Sequence, residues 1–162
     1  MIIRNAAESD LKEIMAIYEH ARNFMRENGN PTQWGTNRPG KEVIMEDIRS
    51  RNLFVCVENG NIAGTFAFII GEEPNYIVIE QGDWHYDMPY GTIHRLASNG
   101  RTKGIAKACF DFCKSKMQYI RIDTHENNKP MQAAIKKNGF EECGIIYVAD
   151  KSPRIAYDYY NG

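Results

Sequence analysis

The strongest constraint on this chain lies in its middle, at Arg101-Thr102-Lys103-Gly104-Ile105-Ala106. Before it, Thr92-Ile93-His94-Arg95-Leu96-Ala97 reads as a strand, broken by Ser98-Asn99-Gly100. After it, Ile105, Ala108, Cys109, Phe112 and Cys113 recur at helical spacing, while Lys107, Asp111, Lys114 and Ser115 fall mostly on the other side. A strand, a basic glycine-bearing turn and a helix aim unpaired N–H groups and the positive end of a helix dipole at one point, which suits an anion. Gly104 admits a ligand to the backbone, Ala106 keeps the next position small, and Arg101 and Lys103 add charge at the same mouth. An ordinary strand-to-helix turn with solvated basic side chains would read the same way. Neither Gly-Lys-Ser/Thr nor Gly-x-Gly-x-x-Gly occurs here, so the nucleoside-triphosphatase loop and the dinucleotide fingerprint are both absent.

At 162 residues the chain predicts one domain spanning 1–162, long enough to bury roughly 70% of its unfolded surface. A formal net charge of -1 argues against a dedicated nucleic-acid binder. No apolar run reaches membrane-spanning length, and Met1-Ile2-Ile3-Arg4 does not open a secretory leader, so a cytoplasmic protein without a membrane partner is expected. Cys56, Cys109, Cys113 and Cys143 show neither Cys-x-x-Cys nor zinc-finger spacing, so no metal is expected and the thiols read as small core residues.

In chain order, Ile2 to Arg4 predicts a strand, and Asp10 with Glu13 predicts a capping box for the next helix. Leu11, Ile14, Met15, Tyr18, Ala21 and Met25 form its apolar stripe, which stops at the turn residues 27–31. A second helix is expected from about Lys41 to Arg49. Leu53–Glu58 and Asn61–Ile70 read as a hairpin around Asn59-Gly60. Tyr76 to Glu80 fits one helical turn or a strand, and 81–91 is a long aromatic and acidic loop of the kind that carries function or moves. Tyr119–Asp123 alternates like a strand, and Pro130 suits the start of a helix closed by Gly139. Gly144–Val148 and Ile155–Tyr159 are the last two strands. Trp34, in a loop, either plugs the core or walls a pocket.

The Arg101–Ala106 turn resembles the Arg/Gln-x-x-Gly-x-Gly/Ala loop of the GNAT superfamily, the acyl-CoA-dependent N-acetyltransferases. Asn128-Lys129-Pro130-Met131 followed by Gly139-Phe140 is similar to that family's Asn-x-x-Ala/Met…Gly-Phe pattern. The element order resembles the family from end to end. It implies an α+β, three-layer fold with a mixed, mostly antiparallel sheet flanked by about four helices. Gln33-Trp34, Asp83-Trp84 and Ile93 to Ser98 resemble a bacterial subgroup whose members mostly lack assigned substrates.

The resemblance implies acetyl-CoA as cofactor. Backbone of Leu96, Ala97 and Ser98 would pair with its pantetheine arm. Amides from Arg101, Thr102, Lys103, Gly104, Ile105 and Ala106 would cradle its pyrophosphate, with Asn128 and Met131 beside the arm. The Leu96 N–H would face the developing oxyanion. A primary amine of a small molecule or peptide is the implied acceptor, in a pocket ringed by Trp34, Asp83 and Trp84. Its proton needs a base, for which His94, Glu80, His125 and Asp83 are candidates; alternation places His94 on Leu96's strand face. Ile135 stands where many members carry a tyrosine acid, leaving Tyr147, Tyr157 or water to serve, or the thiolate to leave unassisted. That departure keeps open a non-catalytic acyl-CoA-binding module. A plain phosphate or nucleotide binder has less support, since no magnesium-ligand motif accompanies the loop. The final strands leave an edge that could pair with a second copy.

Overall fold

The computed structural model describes residues 1–162 throughout. Strands β1 (Ile2–Asn5), β2 (Leu53–Glu58), β3 (Asn61–Ile70), β4 (Gly91–Ser98), β5 (Tyr119–Thr124), β6 (Glu141–Tyr147) and β7 (Pro153–Tyr160) form a single sheet. Helices α1 (Leu11–Glu27), α2 (Lys41–Arg49), α3 (Ile105–Lys116) and α4 (Lys129–Lys137) cover it. Across the sheet the order is β1-β2-β3-β4-β5-β7-β6, with β1 and β6 as edges. Every neighbouring pair is antiparallel except β4 with β5, which α3 joins by a crossover. The α+β architecture read from the sequence is the one observed.

Two apolar clusters hold the three layers together. Ile14, Ile17 and Tyr18 of α1 and Ile44 and Ile48 of α2 pack on Leu53, Val55, Ala67 and Ala97. On the opposite face Ile105, Cys109, Phe110 and Cys113 of α3 and Ile135 of α4 meet Phe66, Phe68, Ile93 and Ile122. Burying a side chain of this size is worth about 1.5–3 kcal/mol, so each helix is held by its stripe rather than by its propensity.

Asp10 differs from its predicted role. A 3-10 turn, Glu8–Asp10, precedes α1, and the Asp10 carboxylate faces backward. It accepts the Ala7 N–H at 2.8 Å and both Arg4 nitrogens at 2.8 and 3.1 Å. β6 also begins earlier than its apolar run, because exposed Glu141 and Glu142 pair with β7 along the edge. Of the ambiguous 76–80 stretch, Tyr76 ends a 3-10 turn that starts at Pro74, and Glu80 bridges to Ile145 of β6.

The feature that shapes the site is a bulge in β4. Thr65 pairs with Ala97 but Ala67 pairs with His94, so β4 spends one residue more than β3 over the same rise. Arg95 takes the strain at φ 56°. The alternation shifts there: Ile93 and Leu96 pack in the α3 cluster and Ala97 in the α1 cluster. His94 therefore lies on the face opposite Leu96, not on the shared face that simple alternation predicts. No helix of the chain is long and apolar enough to cross a membrane.

Candidate functional site

The parallel strands β4 and β5 pair over only three rungs, Gly91–Ile93 against Ile120–Ile122, and then separate. Separation leaves backbone of both strands facing a gap, which opens immediately beside the Arg95 bulge. Two helices hold the bulge from one side. Asp47 of α2 accepts hydrogen bonds from Arg95 Nε at 3.0 Å and Nη2 at 2.7 Å. The buried hydroxyl of Tyr18 on α1 donates to the Arg95 carbonyl at 2.8 Å. Burial raises the Asp47 pKa, with Arg95 pulling it back toward the ionised form. A left-handed arginine in mid-strand costs about 1–2 kcal/mol, and these three bonds hold it there.

At the gap lies a cavity of about 330 Å³ whose walls include Trp34, Glu73, His94, Leu96, Asp123 and Asn128. His94 is 3.6 Å from Glu73, from Nε2 to Oε1. Burial, with the Arg95 guanidinium beside it, pushes the His94 pKa down to about 3. The imidazole is therefore neutral at pH 7, and the nearby carboxylate does not reverse that. Asp123, half-buried with its pKa raised by desolvation, accepts the Tyr76 hydroxyl at 2.5 Å. Arg154, also buried in the wall, donates from Nη1 to Ser152 Oγ and the Pro153 carbonyl at 3.0 Å each. The Thr124 hydroxyl is buried and unpartnered on the same wall.

The 30–39 segment roofs this cavity. Trp34 does both things a loop tryptophan can do: it packs edge-on against Tyr18, with centroids 5.5 Å apart, and walls the cavity. Gln33 Oε1 accepts from Asn30 Nδ2 at 2.8 Å and from Asn128 Nδ2 at 3.0 Å. Asn128 Oδ1 meanwhile caps α4 by accepting the Met131 N–H at 3.3 Å. Gln33 thus ties the roof to the start of α4.

The basic turn follows β4 at the same end. Gly104 is the N-cap of α3 at φ 82° and supplies no side-chain cap, and a Cβ there would meet nothing within 4 Å. Asn99 Oδ1 already accepts the amides of Arg101 and Thr102, at 2.9 and 3.0 Å. The cradle therefore shifts along the chain from its predicted start. The amides of Lys103 to Lys107 find no acceptor, and the first helical bond is Ala108 N–H to the Gly104 carbonyl at 3.0 Å. An uncapped helix start with open space before it suits a phosphate.

The predicted site residues fall into two groups. Trp34, His94, Leu96, Asn128 and Met131 line the cavity. Arg101 to Ala106 do not: they follow β4 into α3, and Arg101 and Thr102 line a separate cavity of about 590 Å³ with His20 and Glu58. Ala97 is buried under α1, and Ser98 Oγ accepts the Gly100 N–H at 3.0 Å. The others stand elsewhere. Glu80 pairs with Ile145 across β6 and accepts the Tyr147 hydroxyl at 3.0 Å. Tyr157 is fully buried among α3 and α4 residues, as is Ile135. Asp83 and Trp84 line a separate cavity of about 520 Å³, where Trp84 and Tyr90 sandwich Arg121. His125 accepts the Asn127 N–H at 3.0 Å and lies 3.4 Å from Thr32 Oγ1. Glu73, Asp123, Asp47 and Arg95 join the site without a local sequence signal, apart from an arginine in the middle of a strand.

No protein-family model and no curated protein matches the chain. Solved structures do. A GNAT-family acetyltransferase from Streptococcus agalactiae superposes with a TM-score of 0.91 at 29% identity, covering 99% of this chain and 95% of that one. A candidate acetyltransferase from Staphylococcus aureus gives 0.72 at 26% identity over 100% of both chains. A GNAT-superfamily phosphinothricin acetyltransferase from Sinorhizobium meliloti, solved with acetyl-CoA, shares the fold at a TM-score of 0.66 and 14% identity, covering 99% of this chain and 88% of that one. With the separated β4–β5 pair, the bulge and the uncapped turn in place, the chain belongs to the GNAT superfamily.

Proposed function

We propose that the chain is an acetyl-CoA-dependent N-acetyltransferase acting on a primary amine of a small molecule or peptide. The observation that carries this reading is the gap between β4 and β5, which opens beside the walled cavity, with the uncapped start of α3 following β4. Acetyl-CoA supplies an acetyl thioester, an acyl group already activated toward amines. Its residence here is supported by open amides at Lys103 to Lys107 for the pyrophosphate, by the neighbouring Arg101 and Lys103, and by the unpaired strand backbone alongside.

The chain's own groups then divide the work. The bulge turns backbone next to Leu96 toward the gap, where an amide stabilises a developing oxyanion without reorganising. A mutagenic loss of such a donor is worth about 2.7–4 kcal/mol. Glu73 attracts the protonated amine and takes its proton, directly or through water. The Asn75 N–H donates to that carboxylate at 3.4 Å, and His94, neutral and 3.6 Å from it, accepts a hydrogen bond from the amine. No tyrosine lines the cavity, and the hydroxyls of Tyr18 and Tyr76 are committed to Arg95 and Asp123. The thiol therefore leaves as thiolate or takes a proton from water, tolerable for a group with a solution pKa near about 8.5.

The test is release of free thiol from acetyl-CoA across a broad amine panel, after calorimetry with acetyl-CoA, desulfo-CoA and ATP. Binding of both CoA forms but not ATP, with turnover on at least one amine, supports the reading. CoA binding without turnover on any amine favours the non-catalytic module, which the core position of Ile135 keeps in view.

A further inference from the structure

Outside the cleft, three side chains with metal-binding atoms meet. His85 lies in the 81–90 loop, Cys143 on β6 and Asp158 on β7, and one donor atom from each falls within 4.8 Å of the others. We propose that this cluster binds a zinc-type divalent cation that clamps the loop onto β6 and β7. The donor set decides the class of ion. A thiolate, an imidazole nitrogen and a carboxylate oxygen suit zinc and its neighbours, whereas magnesium and calcium take oxygen ligands.

The geometry needs little adjustment. Metal–ligand bonds of about 2.0–2.3 Å in a tetrahedron set neighbouring donors about 3.3–3.6 Å apart. Cys143 Sγ lies 3.4 Å from His85 Nδ1. Asp158 Oδ1 lies 2.6 Å from the same nitrogen, so it has to back away by less than about 1 Å. On binding, the thiol gives its proton to solvent and His85 keeps its proton on Nε2. A histidine–aspartate pair alone would account for the short contact; the Cys143 thiol, which also reaches the Glu141 carbonyl at 3.6 Å, brings a third donor atom to the same nitrogen.

The surroundings are those of a prepared site. Asp158 Oδ2 accepts the Tyr119 hydroxyl at 2.7 Å and the His85 N–H at 2.9 Å, which fixes the carboxylate and leaves Oδ1 for the ion. The loop is held down at Gly82, where a Cβ would lie 1.9 Å from the Cys143 carbonyl oxygen, and by the Glu80–Ile145 bridge. Arg121, the nearby cation, is sandwiched between Trp84 and Tyr90, whose ring faces absorb its charge. His85 also borders the 520 Å³ cavity, which gives the ion a path in and a water for its fourth position.

Titration of chelator-stripped, tag-free protein with cobalt(II) and zinc(II) tests the proposal. One equivalent should bind, cobalt should show a thiolate charge-transfer band, and zinc should raise the melting temperature. Cys143→Ser should abolish the band while Cys56, Cys109 and Cys113 remain. His85→Gln, at a partly exposed ring, should weaken binding at least about tenfold. Absence of saturable binding overturns the proposal. So does a band that survives Cys143→Ser, or an affinity unchanged in His85→Gln.

Discussion

Gly104 offers a way to separate the ligand from the fold. The residue sits at φ 82° and a Cβ there would have no neighbour within 4 Å, so alanine and glutamate meet the same backbone penalty and no collision. That penalty is about 1–2 kcal/mol, or a melting-temperature drop of roughly 2–8 °C for a chain of this length. Both variants should show it equally. Their acetyl-CoA affinities should not match. Gly104→Ala leaves the Lys103–Lys107 amides in place and should cost about threefold or less, a fraction of a kcal/mol. Gly104→Glu adds a carboxylate at the same mouth. One unit charge about 5 Å from another at an effective dielectric of 20 costs roughly 3 kcal/mol, so the loss should be on the order of 100-fold or more. Calorimetry at low salt reads this directly, and raising the salt should recover part of it. Acetyl-pantetheine, which lacks the pyrophosphate, should bind both variants alike. Equal acetyl-CoA affinity in the alanine and glutamate variants would refute the placement of the phosphates.

Asp47→Ala removes both hydrogen bonds that hold the Arg95 guanidinium, so stability should fall by about 1.5–3 kcal/mol. Turnover should drop more than acetyl-CoA affinity, as thermal melts and steady-state kinetics would show. Because the folded His94 pKa, about 3, lies below its unfolded value of 6.5, the unfolded chain binds the extra proton between those limits. Stability should therefore fall as pH drops through that window, by on the order of 4 kcal/mol at its foot, and His94→Gln should flatten this acid limb in pH-dependent denaturation. The same neutral imidazole means that His94→Gln should leave the midpoint of the activity profile near neutrality where it is; a shift there would make His94 the titrating base. Tyr76→Phe deprives the half-buried Asp123 carboxylate of its 2.5 Å donor and should cost about 1.5–3 kcal/mol, measurable by denaturant unfolding.

The sequence carries the fold well because its signals are local. α2, β2 and β3 occupy the predicted ranges, since apolar period and the Asn59-Gly60 turn are each written within a few residues. The phosphate-suited turn is legible for the same reason, although the capture of two of its amides by Asn99 is not. What escapes is whatever depends on pairing at a distance. The bulge exists because β3 and β4 differ by one residue in register, and its supports, Tyr18 and Asp47, lie 77 and 48 positions from Arg95. Without that offset His94 would share the Leu96 face. Glu80, Asp83 and Trp84 look like site residues by composition, yet the Glu80–Ile145 bridge draws their segment to β6, away from the gap.

The tie between Gln33 and Asn128 links the two halves of the proposed site. Asn128 Oδ1 is spent on the cap of α4, so Nδ2 is the only part of its side chain available to an incoming pantetheine arm. Gln33 holds that nitrogen at 3.0 Å while also holding Asn30, and the next residue, Trp34, walls the acceptor cavity. Nδ2 carries a second hydrogen, but an arm that takes the one now aimed at Gln33 loosens Gln33, and with it the roof over the acceptor. Coupling of this kind is reciprocal. Gln33→Ala removes the competitor, so acetyl-CoA should bind about 2–10-fold more tightly, the worth of one neutral hydrogen bond of roughly 0.5–1.5 kcal/mol. The acceptor KM should rise, because the roof loses its anchor at the start of α4. Calorimetry for the cofactor and initial rates for the acceptor separate the two effects. Weaker acetyl-CoA binding in Gln33→Ala would mean that Gln33 is part of the cofactor site and not its rival.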